Sequence, residues 1–186
     1  MLTIVLIEGG LGSGKTLIMT RYLVKDQAAG RKVYSNYGLR GVPFEKLDMS
    51  KLVKNELDLQ NASIGIDELT LYCDSRSSMG NKLLTYFVLQ TRKRNVCLYA
   101  TTQNISMIDR RVREHTQIFI YCKDIGQTGY RLFQVLDYRY GKYPTKQTFK
   151  MHIRPWFKYY DTDEVLSPVS KEDKNANRSR GLPVPQ

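Results

Sequence analysis

The segment "GGLGSGKT", from Gly9 to Thr16, has the residue types and spacing of a phosphate-binding loop. It matches G-x-x-x-x-G-K-[ST], follows the apolar run Leu2 to Ile7, and precedes a predicted helix from about Lys15 to Ala28. Backbone N–H groups of such a loop, with the positive end of the following helix, bind phosphate oxygens. Lys15 is expected to reach the β- and γ-phosphates, and the Thr16 hydroxyl to bind Mg²⁺. The residues expected to bind the nucleotide are Gly9, Gly10, Gly12, Ser13, Gly14, Lys15, Thr16 and Leu17.

Two adjacent acids, Asp67 and Glu68, end the apolar run of "IGIDE". A carboxylate at the end of a strand beside the loop strand can hold Mg²⁺ and its water, which is the role predicted for Asp67. The neighbouring Glu68 can then accept a proton from an attacking water molecule. A hydrolytic enzyme needs such a base, whereas a small-molecule kinase uses the hydroxyl of its acceptor. The alternative is a pair of solvated acids at a strand end.

A further polar group follows the next apolar segment, in "YATTQN". Among Thr101, Thr102 and Gln103, we select Gln103 as the group that contacts the γ-phosphate or orients the water. A polar strand end that caps the next helix is the alternative.

Two arginine-containing segments, "QTRKRN" and "DRRVRE", could supply a positive charge to the site of a neighbouring subunit. An arginine at the developing phosphoryl charge accelerates hydrolysis by several orders of magnitude. Arg92, Arg94 and Arg113 are the candidates for this role. Arg110 and Arg111 are expected to face DNA or solvent.

Strands and helices alternate along the chain, which predicts a parallel sheet covered on both faces. The glycine at position 30 is expected to end the first helix, and 38–48 is predicted to be a loop. We expect an antiparallel hairpin over about 130–153 and one domain over 1–166, followed by a flexible polar tail, 167–186. The other predicted elements are strands at Leu2–Ile7, Lys32–Ser35, Ser63–Asp67, "NVCLYATTQ" and "QIFIYCK", and helices at "SKLVKNEL", "SSMGNKLLTYFVLQTRKR" and "SMIDRRVRE".

The charge of the chain is its most informative bulk property. The 186 residues carry a net charge of +11. Between Lys82 and Lys123, eight basic residues face two acidic ones, a net charge of +6. Such a zone suits a polyanion such as nucleic acid, although a solvated basic surface is the alternative.

Other compositional features argue against a zinc site and against secretion of the chain. The three cysteines (Cys73, Cys97 and Cys122) lack C-x-x-C spacing and are predicted to be buried and reduced. The longest apolar run is far shorter than a membrane span, and no signal peptide is visible. The expected location is the host cytoplasm or a virion.

Six of the 13 tyrosines lie in "YRLFQVLDYRYGKY" and "FKYY", interleaved with Arg and Lys. They could stack on bases, but packing within a two-stranded hairpin explains them equally well, and packing is the favoured interpretation.

Several segments in this order resemble the zonular-occludens-toxin-like ATPases of the FtsK–HerA superfamily, which also includes genome-packaging ATPases of viruses. They are "GGLGSGKT", "GRKVYSNY", "IDELTLYCDSR", "LQTRKRNVCLYATTQNISMIDRRVRE" and "YYDT", and the resemblance covers about residues 3 to 162. It implies a RecA-like P-loop core with strand order 5-1-4-3-2, a hexameric ring, and ATP-driven translocation of DNA. It also implies active-site roles for Lys15, Thr16, Asp67, Glu68 and Gln103, with ATP and Mg²⁺ as cofactors.

Four functions are compatible with these features. We expect a ring ATPase that packages viral double-stranded DNA into a capsid, with capsid or membrane proteins of the virion as partners. This form is preferred because filamentous-phage members continue into a membrane-spanning segment and an exported domain that this sequence lacks. The alternatives are a morphogenesis ATPase that exports DNA, a P-loop small-molecule kinase, and a DNA-binding scaffold that holds ATP without turnover.

Overall fold

Eight strands form a single sheet in the part of the chain that the structure, a computed structural model, describes: residues 3–54, 56–57, 59–72, 95–126 and 129–160. The strands are β1 (Thr3–Glu8), β2 (Lys32–Ser35), β3 (Glu45–Lys46), β4 (Ala62–Ile66), β5 (Cys97–Thr102), β6 (Ile118–Asp124), β7 (Tyr130–Asp137) and β8 (Thr145–His152). Their order across the sheet is β3-β2-β4-β5-β1-β6-β7-β8. Strands β1 to β6 are parallel, whereas β7 pairs antiparallel with β6 and with β8. The α/β fold class is therefore as predicted.

Three strands extend the sheet beyond the predicted five-stranded core. The core strands β6, β1, β5, β4 and β2 lie side by side in the expected order. The segment 38–48 was predicted to be entirely loop, and this is wrong at the two-residue β3. This strand forms beside β2 because the Leu47 amide donates to the Ser35 carbonyl at 2.8 Å and holds the segment there. The predicted hairpin is formed by β7 and β8, and it continues the same sheet.

Helix α1 (Lys15–Ala28) covers one face of the sheet. Its buried Leu17, Ile18 and Leu23 lie in one apolar cluster with residues of β1, β2, β5, β6 and β7, and burial of each such side chain stabilises the fold by about 1.5–3 kcal/mol. The helix approaches β4 so closely that a Cβ atom on Gly65 would lie 2.6 Å from Leu23 Cδ1. The chain leaves the helix at Gly30, whose φ of 81° is easy only for glycine. The predicted end of this helix is confirmed.

The opposite face carries a second apolar cluster, centred on β1, β4 and β5. Leu52 of α2 (Met49–Lys54) and Val112 of α3 (Arg110–Glu114) pack into it. One helix was predicted around 106–114, but the structure has a 3-10 turn (Ile105–Met107) followed by α3. The two are separate because α3 begins only after Asp109, whose side chain caps it by accepting from the Arg111 amide at 2.8 Å. The helix predicted over 77–94 and the tail over 167–186 lie outside the described residues.

After β8 the chain returns across α1 in a 3-10 helix, Arg154–Tyr159. The Arg21 guanidinium lies 5.8 Å from the Phe149 ring centroid and 6.0 Å from that of Trp156. The Arg40 amide donates to the Tyr159 carbonyl at 2.7 Å. The hairpin and the segment after it are thereby joined to the helix that follows the glycine loop. Within the described ranges, no helix has the length and apolar character required to cross a membrane.

Candidate active site

The loop between β1 and α1 adopts a conformation that depends on glycine. Gly12 and Gly14 have φ angles of 68° and 94°, in the left-handed region that side chains disfavour. A Cβ atom on Gly14 would in addition lie 3.3 Å from Arg131 Cγ and 3.4 Å from Phe133 Cζ. Strand β7 therefore lies directly against the loop, and the positive φ of Gly14 favours glycine at this position.

Two polar side chains of the loop have hydrogen-bonding capacity that the described residues do not use. Ser13 Oγ is buried without a hydrogen-bond partner there. The Lys15 side chain is also buried, and its Nζ donates to the Gly10 carbonyl at 3.0 Å. Because an ammonium group has three donors, Lys15 can still donate to other oxygen atoms. A Cβ atom on Gly9 would collide with Ser13 Oγ, so glycine at position 9 keeps this hydroxyl in place.

Thr16 and Asp67 meet at the carboxyl end of the sheet, although β4, which precedes Asp67, is separated from the loop strand β1 by β5 rather than lying beside it as expected. Thr16 Oγ1 lies 3.2 Å and 3.1 Å from the two Asp67 carboxylate oxygens. From the other side, Thr101 Oγ1 donates to Asp67 Oδ1 at 2.6 Å. The start of α1 and the ends of β4 and β5 therefore contribute one contiguous group of oxygen atoms.

Burial raises the pKa of the Asp67 carboxyl above its ordinary value, and the nearby charge of Glu68 adds to the rise. Hydrogen bonds from Thr101 and Thr16, and the positive charge of Lys15, act in the opposite direction. A carboxylate that is desolvated in this way gains from a bound cation, because the cation supplies the charge that burial withholds.

Glu68 occupies a backbone conformation that is unusual for a residue with a side chain. Its φ and ψ angles are 53° and 67°, in the left-handed region, and such residues concentrate at functional sites. The Glu68 amide donates to Thr101 Oγ1 at 2.9 Å, while Thr70 Oγ1 donates to Glu68 Oε1 at 2.6 Å. Both the backbone and the carboxylate of Glu68 are therefore held in place beside Asp67.

Asn36 is a residue of this site that the sequence did not reveal. Its side-chain oxygen accepts from the Asp67 amide at 2.7 Å, and its Nδ2 donates to the Asp67 carbonyl at 2.9 Å. Asn36 is buried just after β2. This double hydrogen bond fixes the backbone that carries the two acids, and only the parallel pairing of β2 with β4 brings the residues together.

Gln103 lies where the sequence placed it, immediately after β5, and its side chain is exposed. Thr101, which we considered but did not select, makes the contacts with Asp67 and Glu68. Thr102 donates to the Asn104 carbonyl at 3.1 Å and shapes the strand exit.

Arg131 of β7 is a second residue that the sequence did not reveal. Its Nε donates to the Gly12 carbonyl at 2.8 Å, and its guanidinium pairs with Asp124 at 3.3 Å. The side chain is only 17% exposed. Arg131 therefore joins the hairpin to the glycine loop within one subunit, across 119 residues of sequence.

Tyr160 lies close enough to Asp67 and Arg131 for their charges to affect its pKa. Burial raises the pKa of Tyr160 to about 12, and the negative charge of Asp67 contributes to this rise while Arg131 opposes it. The hydroxyl is therefore a neutral donor near the acids at physiological pH.

The arginines predicted to act on a neighbouring subunit fall into different environments. Arg113 is half-buried in α3, and its Nε is buried without a hydrogen-bond partner in the described part of the chain. Arg110 and Arg111 are exposed and pair with acids of their own helix turn. Arg92 and Arg94 lie outside the described residues.

These groups fit a nucleoside triphosphate with Mg²⁺. The Ser13 hydroxyl, which has no partner among the described residues, and the remaining donors of the Lys15 ammonium can bind phosphate oxygens. The hydroxyl of Thr16 and the carboxylate of Asp67 are hard oxygen ligands of the type Mg²⁺ prefers. No cluster of three or more His, Cys, Asp or Glu side chains suited to a metal occurs among the described residues. Cys97 and Cys122 are free thiols, half-buried and buried respectively.

The sequence matches no protein-family model and no curated protein. Solved structures do resemble the fold. The N-terminal domain of zonular occludens toxin from Neisseria meningitidis is 18% identical, with a TM-score of 0.62, over 87% of this chain and 100% of that chain.

Two further structures resemble it over most of their length. The genome packaging NTPase B204 from Sulfolobus turreted icosahedral virus 2, in complex with ATP-gammaS, is 12% identical, with a TM-score of 0.55, over 78% of this chain and 96% of that chain. The KaiC-like protein PH0186 from Pyrococcus horikoshii is 14% identical, with a TM-score of 0.57, over 86% and 89% of the two chains. The chain therefore has the fold of a RecA-like P-loop NTPase.

Proposed function

We propose that this chain is an ATP-hydrolysing motor that translocates DNA. The observation that carries the hydrolytic part is the hydrogen-bonded arrangement of Thr16, Asp67 and Thr101 beside the glycine loop, with Glu68 held next to it. A site that only bound a nucleotide would have no need of a second, strained acid at this position.

The residues of the loop bind the phosphates in this proposal. Lys15 and the backbone amides after Gly12 neutralise and orient the phosphate oxygens, and Ser13 supplies a further donor. Thr16 and Asp67 hold Mg²⁺, which when bound withdraws charge from the phosphates.

Glu68 acts as the general base. Its carboxylate accepts the proton of the attacking water, which makes that water a better nucleophile. Thr70 and Thr101 hold Glu68 so that the proton acceptor is in place before the nucleotide arrives. A kinase would instead require a pocket for an acceptor hydroxyl and would not depend on this acid.

A charge from a neighbouring subunit completes the site, with Arg113 as the described candidate beside Arg92 and Arg94. The Arg113 side chain is half-buried in α3 and makes no ion pair within the described residues. An arginine supplied in this way makes hydrolysis depend on assembly, which supports a homo-oligomer and, by resemblance, a hexameric ring.

DNA is the proposed polyanion because the chain has a net charge of +11. The likeness to the viral genome packaging NTPase B204 supports packaging of double-stranded DNA into a capsid. The likeness to the zonular occludens toxin domain favours a second candidate, export of a phage genome through a membrane complex.

The decisive experiment measures ATPase activity with and without double-stranded DNA, together with native mass. We expect activity per subunit to rise with protein concentration as rings form, and to rise further when DNA is added. A rate per subunit that is constant across the assembly range would contradict a contribution from a neighbour. A rate that DNA does not change would contradict the coupling to translocation while leaving ATP hydrolysis in place.

A further inference from the structure

The turn between β7 and β8, residues 138–144 and named the hairpin tip here, exposes aromatic rings to solvent. Tyr140 and Tyr143 are each 84% exposed, and Tyr138 is 37% exposed. No other aromatic side chain among the described residues is as exposed as Tyr140 and Tyr143. The prediction that the six tyrosines of these segments pack internally is therefore wrong at Tyr140 and Tyr143. Tyr130 and Tyr138 are partly exposed, but their rings contact His152 and Phe119, and Tyr160 after the hairpin is buried.

The hairpin tip rests on an ordered base. The Tyr138 amide donates to the Gln117 carbonyl at 2.8 Å, and the Tyr138 ring lies edge-on to Phe119 with ring centroids 5.9 Å apart. Arg139 binds both oxygens of the Asp137 carboxylate. Its Nη2 donates to Oδ2 at 2.6 Å, and its Nε donates to Oδ1 at 3.0 Å. Two exposed rings on a fixed turn lose little conformational entropy when they bind a partner.

The positive charge around the hairpin tip favours a negatively charged partner. Residues 129–160 contain seven Lys or Arg and one acid, Asp137, a net charge of +6. Arg139 already neutralises that acid. Lys142 and Lys146 are exposed and make no ion pair within the described part of the chain. Aromatic rings interleaved with unpaired positive charges suit a polyanion that also has flat apolar faces, which describes the bases and phosphates of a nucleic acid.

We propose that the hairpin tip binds single-stranded nucleic acid, with bases stacked on Tyr140 and Tyr143 and phosphates near Lys142 and Lys146. Unpaired bases are required because the faces of paired bases are already stacked inside a duplex. The inference rests on the proposed function for its choice of DNA as partner. It adds the element that contacts the DNA and the preference of that element for unpaired bases, whereas the DNA that the motor moves is proposed to be a duplex.

The hairpin tip is remote from the nucleotide site. Strand β7 begins beside the glycine loop, where Arg131 contacts Gly12, and runs antiparallel to β6 to the opposite end of the sheet. Changes at the tip are therefore expected to leave ATP binding intact, which separates this inference from the assignment of the active site.

The test measures binding of the full chain to a fluorescently labelled oligo(dT) strand of about 20 nucleotides, enough to span a typical single-strand site. The variant Tyr140→Ala/Tyr143→Ala should bind at least tenfold more weakly, because an aromatic platform contributes about a factor of ten or more per stacked base. Tyr140→Phe/Tyr143→Phe keeps the rings and should bind like the unaltered chain. Tyr130→Ala, at the other end of the same strand, is the matched control and should also bind normally.

The contribution of Lys142 and Lys146 is measured separately, by the salt dependence of oligo(dT) binding. In Lys142→Ala/Lys146→Ala, the slope of the logarithm of the binding constant against the logarithm of the salt concentration should become shallower by about 1.4, the value for two phosphate contacts on a single strand.

The outcomes separate the two proposals. Equal binding by the unaltered chain and the double alanine variant would overturn the role of the hairpin tip, as would binding to duplex DNA that depends on the tyrosines as strongly as binding to oligo(dT). Absence of any DNA binding, with DNA-independent ATPase activity retained, would overturn both the tip and the DNA partner but not ATP hydrolysis. A tenfold loss restricted to the alanine variant, with unchanged ATPase activity in the absence of DNA, would support the inference.

Discussion

The two ends of the sheet each carry a polar cluster beside α1, and the two clusters differ in how fully their hydrogen bonds are made. At the amino ends of the strands, Asp26 Oδ2 accepts from Ser63 at 2.6 Å and from Tyr99 at 2.9 Å. Arg31 donates to Ser63 at 2.7 Å and to the carbonyls of Ala62 and Asn95 at 2.6 Å and 2.7 Å. We call Asp26, Arg31, Ser63 and Tyr99 the amino-end cluster.

The loop-end cluster, formed by Ser13, Lys15, Asp67 and Glu68, has the opposite character. It contains a buried hydroxyl without a partner in the described residues, a buried ammonium with one hydrogen bond there, and an acid whose pKa is raised by burial. Glu68 adds a left-handed backbone conformation.

The difference in hydrogen bonding indicates that the amino-end cluster stabilises the fold and that the loop-end cluster serves function. A buried polar network whose members are all paired stabilises one conformation, whereas unmet donors and strained residues lower stability unless a ligand completes them. Changes in the amino-end cluster should therefore unfold the chain, and changes in the loop-end cluster should inactivate it.

The largest expected effect follows from Glu68→Gln. Loss of the base should lower the rate of ATP hydrolysis by about 10²- to 10⁴-fold, while the affinity for ATP stays within a factor of about two because the phosphate ligands are untouched. Phosphate release and binding of a fluorescent ATP analogue measure the two quantities. Glu45→Gln, on the exposed edge strand β3, is the control. A normal hydrolysis rate in Glu68→Gln would show that Glu68 is not the general base.

A large loss of a different kind is expected from Lys15→Ala. Removal of the only described ammonium that contacts the glycine loop should weaken ATP binding by at least about a hundredfold, since charge-assisted hydrogen bonds to phosphate are strong. Isothermal titration calorimetry with a non-hydrolysable analogue measures this loss. Lys25→Ala, at the exposed end of α1, should bind normally. If Lys15→Ala keeps its affinity, the loop does not bind phosphate in the proposed way.

Arg31→Ala tests the amino-end cluster. It leaves Ser63 and two carbonyl groups without their donor, so the free energy of unfolding should fall by about 2–3 kcal/mol. Urea denaturation measures the change, and ATP affinity of the folded variant should be unaltered. If activity falls and stability does not, the amino-end cluster contributes to the reaction and the contrast between the clusters fails.

The smallest expected effect on stability, and the one of opposite sign, follows from Asp67→Asn. Because burial raises the pKa of Asp67, the folded chain keeps this proton at pH values where the unfolded chain has lost it. The free energy of unfolding therefore falls as the pH rises through a window that begins near the ordinary value of 3.8.

The amide abolishes this pH-dependent loss and can still accept from Thr16 and Thr101. We expect the free energy of unfolding of Asp67→Asn to be higher than that of the unaltered chain at pH 7, with Mg²⁺-dependent hydrolysis lost. Thermal unfolding without nucleotide between pH 4 and 8 measures the difference, and a variant less stable than the unaltered chain at pH 7 would show that the charged acid is not a cost to the fold.

The sequence predicted those parts of the site that lie within a few residues of one another. The glycine loop has a fixed spacing, and Asp67 and Glu68 follow a run whose apolar character identifies it as a buried strand. Asn36 and Arg131 were missed because their partners lie 31 and 119 residues away, so no local pattern connects them. Thr101 was considered, but only the register of β5 against β4 distinguishes it from Gln103.

The hairpin shows a different limit of sequence reasoning. Alternation predicted its two strands and its turn correctly, but it does not say which faces another element covers. The outward rings of Tyr140 and Tyr143 could be distinguished from packed ones only after the turn had been placed beyond β6 at the end of the sheet.

Strand β7 joins the glycine loop to the hairpin tip. It pairs with β8 from Tyr130 to Asp137 and with β6 from Arg131 to Asp137. Its eight residues span about 26 Å, at about 3.3 Å per residue. From Arg131 onward both of its edges are already paired, so this strand offers no open edge to which a strand of another chain could add.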